Sequence, residues 1–197
     1  MTVDVTAMRI AMRLNSLPSE IRAARGRPLP AGIPLLLAIA AGERDAIDKG
    51  AALLDRAEEQ LVAGARFFVE QVLLAPDSSS YRVLGVLPDA PAADLRRNVA
   101  LYLKYLHPDR DLSGDRTALA LRVTGAWEDL KTPDRRAAYD RVMAERDARA
   151  ERLDALDKPR TRPSGGRGSS RGANAQRSRG ETPAGHGLFS RLVRSLL

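Results

Sequence analysis

The sequence predicts an all-α protein, in which an N-terminal helical module precedes a helical hairpin and a disordered basic tail. Apolar residues recur at the three- and four-residue intervals of a helix over most of residues 2–156. No segment of the 197 residues alternates apolar and polar side chains in the manner of a strand. Large apolar residues almost vanish over residues 157–187, so a packed core is expected only before them.

The net charge of +7 belongs to the end of the chain. Residues 157–197 hold nine basic and two acidic residues, which accounts for the whole imbalance. The folded part is therefore electrically neutral, and nucleic acid is not an expected partner. The chain has no cysteine, and its two histidines are His107 and His186. This composition excludes disulfides and Cys-type or multi-His metal sites, so we expect no metal and no cofactor.

The first half of the N-terminal module is predicted to contain short helices. Residues 2–17 form an amphipathic helix that Pro18 ends, and a short helical piece runs to about Arg25. Residues 33–41, IPLLLAIAA, are too short to span a bilayer. We interpret them as a short buried helix rather than as part of a secretion signal, and we expect a cytoplasmic protein.

Residues 43–74 are predicted to form the longest helix of this module. Large apolar residues repeat at seven-residue spacing, and tiny residues follow the first three of them at a distance of three. The large residues are Ile47, Leu54, Leu61 and Phe68, and the tiny ones are Gly50, Ala57 and Gly64. Such adjoining stripes suit close packing between helices. The simpler interpretation is packing against the helices at 2–17 and 33–41; the alternative is a groove or dimer seam for a partner.

The second unit begins with the sequence YRVLGV, at residues 81–86, and continues with two amphipathic helices. Both helices place apolar residues at offsets of 0, 4, 7, 8 and 11. These residues are Leu95, Val99, Tyr102, Leu103 and Leu106 in the first helix, and Leu119, Val123, Ala126, Trp127 and Leu130 in the second. Two matching faces joined by a short loop predict an antiparallel hairpin.

The loop of this hairpin contains the tripeptide His107-Pro108-Asp109. Pro108 disfavours helical geometry at His107, so the tripeptide ends the first helix and presents its side chains from a turn. After the second helix, Thr132 is a predicted N-cap and Pro133 occupies the first position of a last helix.

Residues 81–141 resemble a J domain, the module of the DnaJ or Hsp40 co-chaperones. The Tyr-x-x-Leu-Gly-Val opening, the His-Pro-Asp loop, the stretch from Ala126 to Leu130 and the Arg-Arg-Ala-x-Tyr-Asp ending at Asp140 all occur in the family's order. The resemblance covers about a third of the chain. It implies an all-α fold and an Hsp70 partner of the DnaK type, whose ATP hydrolysis the J domain stimulates without catalysing a reaction itself.

The same resemblance assigns the Hsp70-binding residues. The loop residues are His107, Pro108 and Asp109, since the family uses this loop to engage its partner. The family's second helix also presents a basic face to an acidic partner surface. The candidates for that face are Arg96, Arg97, Lys104 and Arg110. Arg97 and Lys104 are seven residues apart, and His107 follows Lys104 by three, so these three share one face of the helix.

The helix is less basic than is usual in the family, because Ala100 and Leu101 occupy its middle, and Leu106 replaces the usual Tyr before the histidine. Fewer charges predict slower association with an acidic partner. The alternative function is therefore an interaction or scaffold protein whose J domain is no longer coupled to Hsp70. An enzyme is not expected, since no nucleophile, second carboxylate or phosphate loop accompanies His107 and Asp109.

Four regions are predicted in all. They are a helical module at 1–76, a J domain with an extended last helix at 78–156, a disordered Arg/Gly/Ser-rich linker at 157–187 and a short amphipathic segment at 188–197. The first is the candidate site for a client or scaffold partner. The last carries apolar and cationic faces that could contact an anionic membrane or a partner. A membrane or nucleic-acid adaptor that works through this tail is a further alternative.

Overall fold

A computed structural model of the chain describes residues 3–107 and 116–157, with side chains to residue 153. Within these ranges the protein is all-α and contains no strand, as predicted. In this part of the chain no helix is both long enough and apolar enough to cross a bilayer. The linker and the terminal segment predicted at 157–187 and 188–197 lie outside the described residues, except for Asp157 at the end of the last helix.

Five helices form the N-terminal half: α1 (Thr6–Ser16), α2 (Ile21–Arg25), α3 (Ile33–Ala40), α4 (Arg44–Leu54) and α5 (Glu58–Phe68). A 3₁₀ turn at Pro18–Glu20 precedes α2, and a π-helical turn at Val69–Leu73 continues α5. Four helices follow among the described residues: α6 (Ser80–Val83), α7 (Ala92–Tyr105), α8 (Arg116–Leu130) and α9 (Pro133–Asp157).

Helix α5 packs across α1 and α3 and builds the core of the N-terminal half. Leu61 and Phe68 are buried, and Gly64 lies so close to α1 that a Cβ there would sit 3.3 Å from Cγ of Met12. Burial of a side chain the size of Phe68 contributes about 1.5–3 kcal/mol. The α5 part of the stripe, Leu61, Gly64 and Phe68, therefore packs inside the molecule as the simpler interpretation predicts, whereas Ala57 is exposed.

The prediction of one helix over residues 43–74 is wrong, because the chain breaks between α4 and α5. Asp55 has left-handed backbone angles (φ 51°, ψ 57°) and ends α4, and Ala57 is extended at the start of α5. Aspartate tolerates the left-handed region better than most residues. The ion pair of Arg44 with Glu58, at 2.7 Å, links the two helices. The seven-residue spacing continues through the break, so periodicity alone does not reveal it.

The N-terminal half and residues 80–153 share one hydrophobic core. Arg82 of α6 donates hydrogen bonds to the carbonyl oxygens of Ala24 and Arg27, both at 2.9 Å. Gly85 packs directly against Ile33, whose Cγ2 would lie 2.6 Å from a Cβ at that position. The division into regions 1–76 and 78–156 stays a prediction, since both belong to one compact unit, Met1–Asp157.

Candidate functional site

Helix α7 positions the predicted site, and its ends follow from local chemistry. Pro91 is extended just before the helix, and Asp94 in the first turn is favourably placed at the positive end of the helix dipole. At the other end, Leu106 donates its backbone N–H to the carbonyl oxygen of Tyr102 at 2.8 Å. His107 follows directly and is exposed. The helix therefore ends at Tyr105, two positions before the histidine, close to where the following proline predicts.

Helices α7 and α8 form the predicted antiparallel hairpin. Arg116, the first residue of α8, donates from Nη1 to the carbonyl oxygen of Tyr105 at 2.8 Å, and its guanidinium lies 5.1 Å from the centre of the Tyr105 ring. The start of α8 thus meets the end of α7. A cation at a helix C-terminus also stabilises the carbonyl groups that have no partner within the helix. This contact fixes the end of α7 from which His107 projects.

Three of the predicted site residues are basic side chains on α7, and all are exposed. The Arg97 guanidinium lies 3.1 Å from the Asp94 carboxylate, one turn earlier on the same helix. Nζ of Lys104 lies 2.6 Å from Oε1 of Glu43. Arg96 is the third. The structure therefore brings Arg97, Lys104 and His107 to the exposed side of α7, whereas Pro108, Asp109 and Arg110 lie outside the described residues.

The buried face of α7 differs from the predicted one at one position. Leu103 was expected to face the core, but its side chain is 64% exposed. The buried residues of this segment are Leu95, Asn98, Tyr102, Tyr105 and Leu106. Their offsets of 0, 3, 7, 10 and 11 define a face that is rotated toward Asn98 and Tyr105, because α7 packs against α3 as well as against α8. From Arg96 onward, the exposed residues of this segment are Arg96, Arg97, Ala100, Leu103, Lys104 and His107.

Hydrogen bonds to the preceding turn hold α7 in place. The hydroxyl of the fully buried Tyr102 donates to the carbonyl oxygen of Val83 at 2.6 Å. The side-chain amide of Asn98 donates to the carbonyl oxygen of Leu84 at 2.9 Å. Burial raises the pKa of the Tyr102 phenol well above its usual value, so this donor stays protonated at neutral pH. Both bonds satisfy carbonyl groups that the short helix α6 leaves without helical partners.

The first and last helices of this unit are joined to one another. The backbone N–H of Ser80 donates to the Tyr139 hydroxyl at 2.8 Å, and the Tyr81 hydroxyl donates to Asp140 at 2.7 Å. The Ser80 hydroxyl also donates to Asp129 of α8 at 2.6 Å. The α7–α8 hairpin is therefore braced by α6 and α9.

Two residues of the N-terminal half belong to the surroundings of the site, and no sequence pattern indicated either of them. Glu43 pairs with Lys104, and Glu70 accepts a hydrogen bond from the Tyr105 hydroxyl. The burial of Tyr105 and this bond both raise the pKa of its phenol. These contacts join residues 61 and 35 positions apart, which neither helical periodicity nor the loop motif can relate.

A short first helix, an antiparallel hairpin with His107 after its first helix and a last helix together form the arrangement that the resemblance to a J domain implies. No protein-family model matches this chain, and no solved structure matches it. Curated relatives do match. The chaperone protein DnaJ of Rickettsia bellii is 41% identical over 63 residues, and that of Rhodobacter capsulatus is 43% identical over 63 residues. The DnaJ protein of a Ruegeria species is 40% identical over 62 residues.

In each of these matches the aligned segment is 31% of this chain and 16–17% of the relative. The chain thus spans about a sixth of the length of these DnaJ proteins. The chain carries a J domain of the DnaJ family, and the resemblance seen in its motifs is confirmed at the level of this segment.

Proposed function

We propose that this protein is a co-chaperone that binds an Hsp70 of the DnaK type and stimulates its ATP hydrolysis. The observation that carries the proposal is the match of about 40% identity to DnaJ proteins over the J-domain segment. The protein would act by binding rather than by catalysis, and no cofactor is needed. The remainder of the chain, residues 1–76 and the tail, would set the client or the location.

The proposed binding site combines a loop with one side of a helix. His107 is exposed at the end of α7, directly after the buried Leu106. In the sequence Pro108 and Asp109 follow, and a carboxylate at that position can form a charge-assisted hydrogen bond with an arginine of the partner. The exposed cations Arg96, Arg97 and Lys104 supply attraction for an acidic partner surface.

Single-turnover ATP hydrolysis by the cognate Hsp70 tests this function. We expect the full-length chain to accelerate hydrolysis. In the Asp109→Asn and His107→Gln variants the acceleration should be at least about tenfold smaller, because truncating a charge-assisted contact costs roughly 1.5–3 kcal/mol. Asp111→Asn is the matched control, since it makes the same chemical change two residues further on. Equal acceleration by the Asp109→Asn variant and the wild type would contradict the proposal.

A second candidate function is an interaction or scaffold protein whose J domain is no longer coupled to Hsp70. Two observations favour it: Lys104 is already paired with Glu43, and Leu101, in the middle of α7, packs against the core. Under this hypothesis the wild type does not stimulate Hsp70. It would instead bind a partner through residues 1–76, with an affinity that the His107→Gln substitution leaves unchanged.

A further inference from the structure

Glu43 lies beside a cation of the candidate Hsp70 site, although it belongs to the N-terminal half. Its Oε1 atom is 2.6 Å from Nζ of Lys104, and the two side chains remain 40% and 46% exposed. A pair of this kind is open to solvent on one side, so another carboxylate can approach the same ammonium group. The contact is therefore placed where an acidic partner surface would need to bind.

The backbone fixes the position of Glu43. Gly42 has a left-handed conformation (φ 73°) and follows Ala41, the C-cap residue of α3. Its N–H donates to the carbonyl oxygen of Ile39 and the N–H of Glu43 donates to that of Ala38, both at 2.9 Å. This is the Schellman pattern of a helix C-terminus, in which a glycine ends the helix and the next residue is bonded back to it. Glu43 is thus held against α7 by the end of α3.

The side chain of Glu43 does not cap its own helix, α4. Glu43 is the N-cap residue of α4, and its backbone is extended there. Short side chains such as Asp and Ser cap a helix by accepting a hydrogen bond from its first turn, and glutamate is not among the preferred capping residues. Here the side chain makes no such capping bond and accepts from Lys104 instead. Both the backbone and the side chain therefore favour the contact with α7.

We propose that Glu43 is an internal competitor for Lys104 and lowers the affinity of the J domain for Hsp70. This inference rests on the function proposed above, because it assumes that an acidic surface of Hsp70 approaches α7. Binding would require that surface to displace Glu43 from Lys104 and to tolerate a neighbouring negative charge. Glu43 would thus set the strength of coupling to Hsp70 through Lys104.

The Glu43→Gln substitution in the full-length chain tests the competition. We expect it to lower the concentration that gives half-maximal stimulation of Hsp70 by about two- to fivefold, the range that an exposed ion pair supports. The gain should diminish at high ionic strength, since salt screens such pairs. Glu59→Gln is the control: it removes the same charge from an exposed position of α5 that lies near Met12 of α1.

The same substitution in a chain without Lys104 shows whether the change in half-maximal concentration depends on Lys104. In the Lys104→Gln chain, the Glu43→Gln substitution should give no further gain. A gain that persists there would mean a general charge effect and would overturn the inference. Equal half-maximal concentrations for the Glu43→Gln and Glu59→Gln variants would also overturn it, while leaving the proposed function intact if the wild type stimulates Hsp70.

A measurement without Hsp70 separates the two proposals. The chain has only four lysines, namely Lys49, Lys104, Lys131 and Lys158, so acylation by an amine reagent can be followed at each by mass spectrometry. Lys131, paired with Glu128 at 2.8 Å, is an internal reference. We expect Glu43→Gln to raise the ratio of Lys104 to Lys131 labelling at least about twofold. An unchanged ratio overturns the internal competition. A raised ratio with unchanged stimulation overturns its role in Hsp70 binding, and absent stimulation in every variant overturns both proposals.

Discussion

The two halves of the described chain share one core but bury different kinds of side chain. They are the N-terminal half, residues 3–74, and the J-domain half, residues 80–153. The buried polar residues of the described chain are Ser80 and Asn98, and both belong to the J-domain half. All four tyrosines of the chain also lie there, between residues 81 and 139. The core of the N-terminal half is instead built from aliphatic side chains, alanines, Met8 and Phe68.

This difference has a physical consequence for each half. Apolar contacts are non-directional, so the N-terminal half needs the right volume more than particular partners. The J-domain half uses hydrogen bonds such as that from Tyr102 to Val83, which fix distance and direction. These directed bonds lie in the half that carries His107, the first residue of the loop in the proposed Hsp70 site.

The largest loss of stability is expected from substitution of Phe68, the largest side chain that the N-terminal half buries fully. The Phe68→Ala substitution should lower the free energy of unfolding by about 3–5 kcal/mol, because it removes apolar contacts and leaves a cavity. Urea unfolding followed by circular dichroism measures this loss. Phe68→Leu is the control and should cost much less, since most of the volume is kept; an equal loss would show that the half depends on more than packing.

The next largest loss of stability is expected from a substitution where the two halves meet. Gly85 has a positive φ of 66°, and a Cβ there would lie 2.6 Å from Cγ2 of Ile33. The Gly85→Ala substitution combines backbone strain with overpacking and should cost about 2–4 kcal/mol. Adding Ile33→Val should restore part of the loss in the same urea titration. No restoration would mean that the backbone angle alone determines the cost.

A smaller, pH-dependent effect should be confined to the J-domain half. Burial raises the pKa of Tyr102, so the folded chain keeps its proton when the unfolded chain begins to release it near pH 10. Stability that is fully present below about pH 10 should then fall as the pH rises, by about 1.4 kcal/mol per pH unit for this residue.

Unfolding in urea between about pH 9 and 11 measures this slope. Tyr102→Phe should flatten it by the amount due to one proton. It should also cost about 1–3 kcal/mol at neutral pH, because the buried carbonyl oxygen of Val83 loses its donor. An unchanged slope in the variant would show that ionisation of Tyr102 does not cause the loss of stability at high pH.

Local sequence signals predicted much of the J-domain half. Helical periodicity located α7 and α8, and Thr132 is the N-cap that its sequence position indicated: its Oγ1 accepts from the backbone N–H of Arg135 at 3.3 Å. The exposure of Leu103 was missed, since an apolar residue at a helical interval is assigned to the core when the neighbours of the helix are unknown. Packing against α3 decides which face is buried.

The site could be predicted only in part for a similar reason. The motif located His107, and spacing placed Lys104 on the same side of α7. The pairing of Lys104 with Glu43 depends on how two segments 61 residues apart come together, and no local pattern encodes that distance. The break at Asp55 is a further case, because its left-handed backbone leaves the seven-residue spacing of the apolar side chains intact.

The bond from Tyr81 to Asp140 has a consequence for the synthesis of the chain. The two residues are 59 positions apart, so α6 emerges from the ribosome well before its partner on α9 exists. At translation speeds of roughly 5–20 residues per second, the interval is about 3–12 seconds. Every helix of the N-terminal half has been made before this interval begins. We therefore expect the N-terminal half to collapse first. It would then provide a surface against which the incomplete J domain packs until α9 has been synthesised.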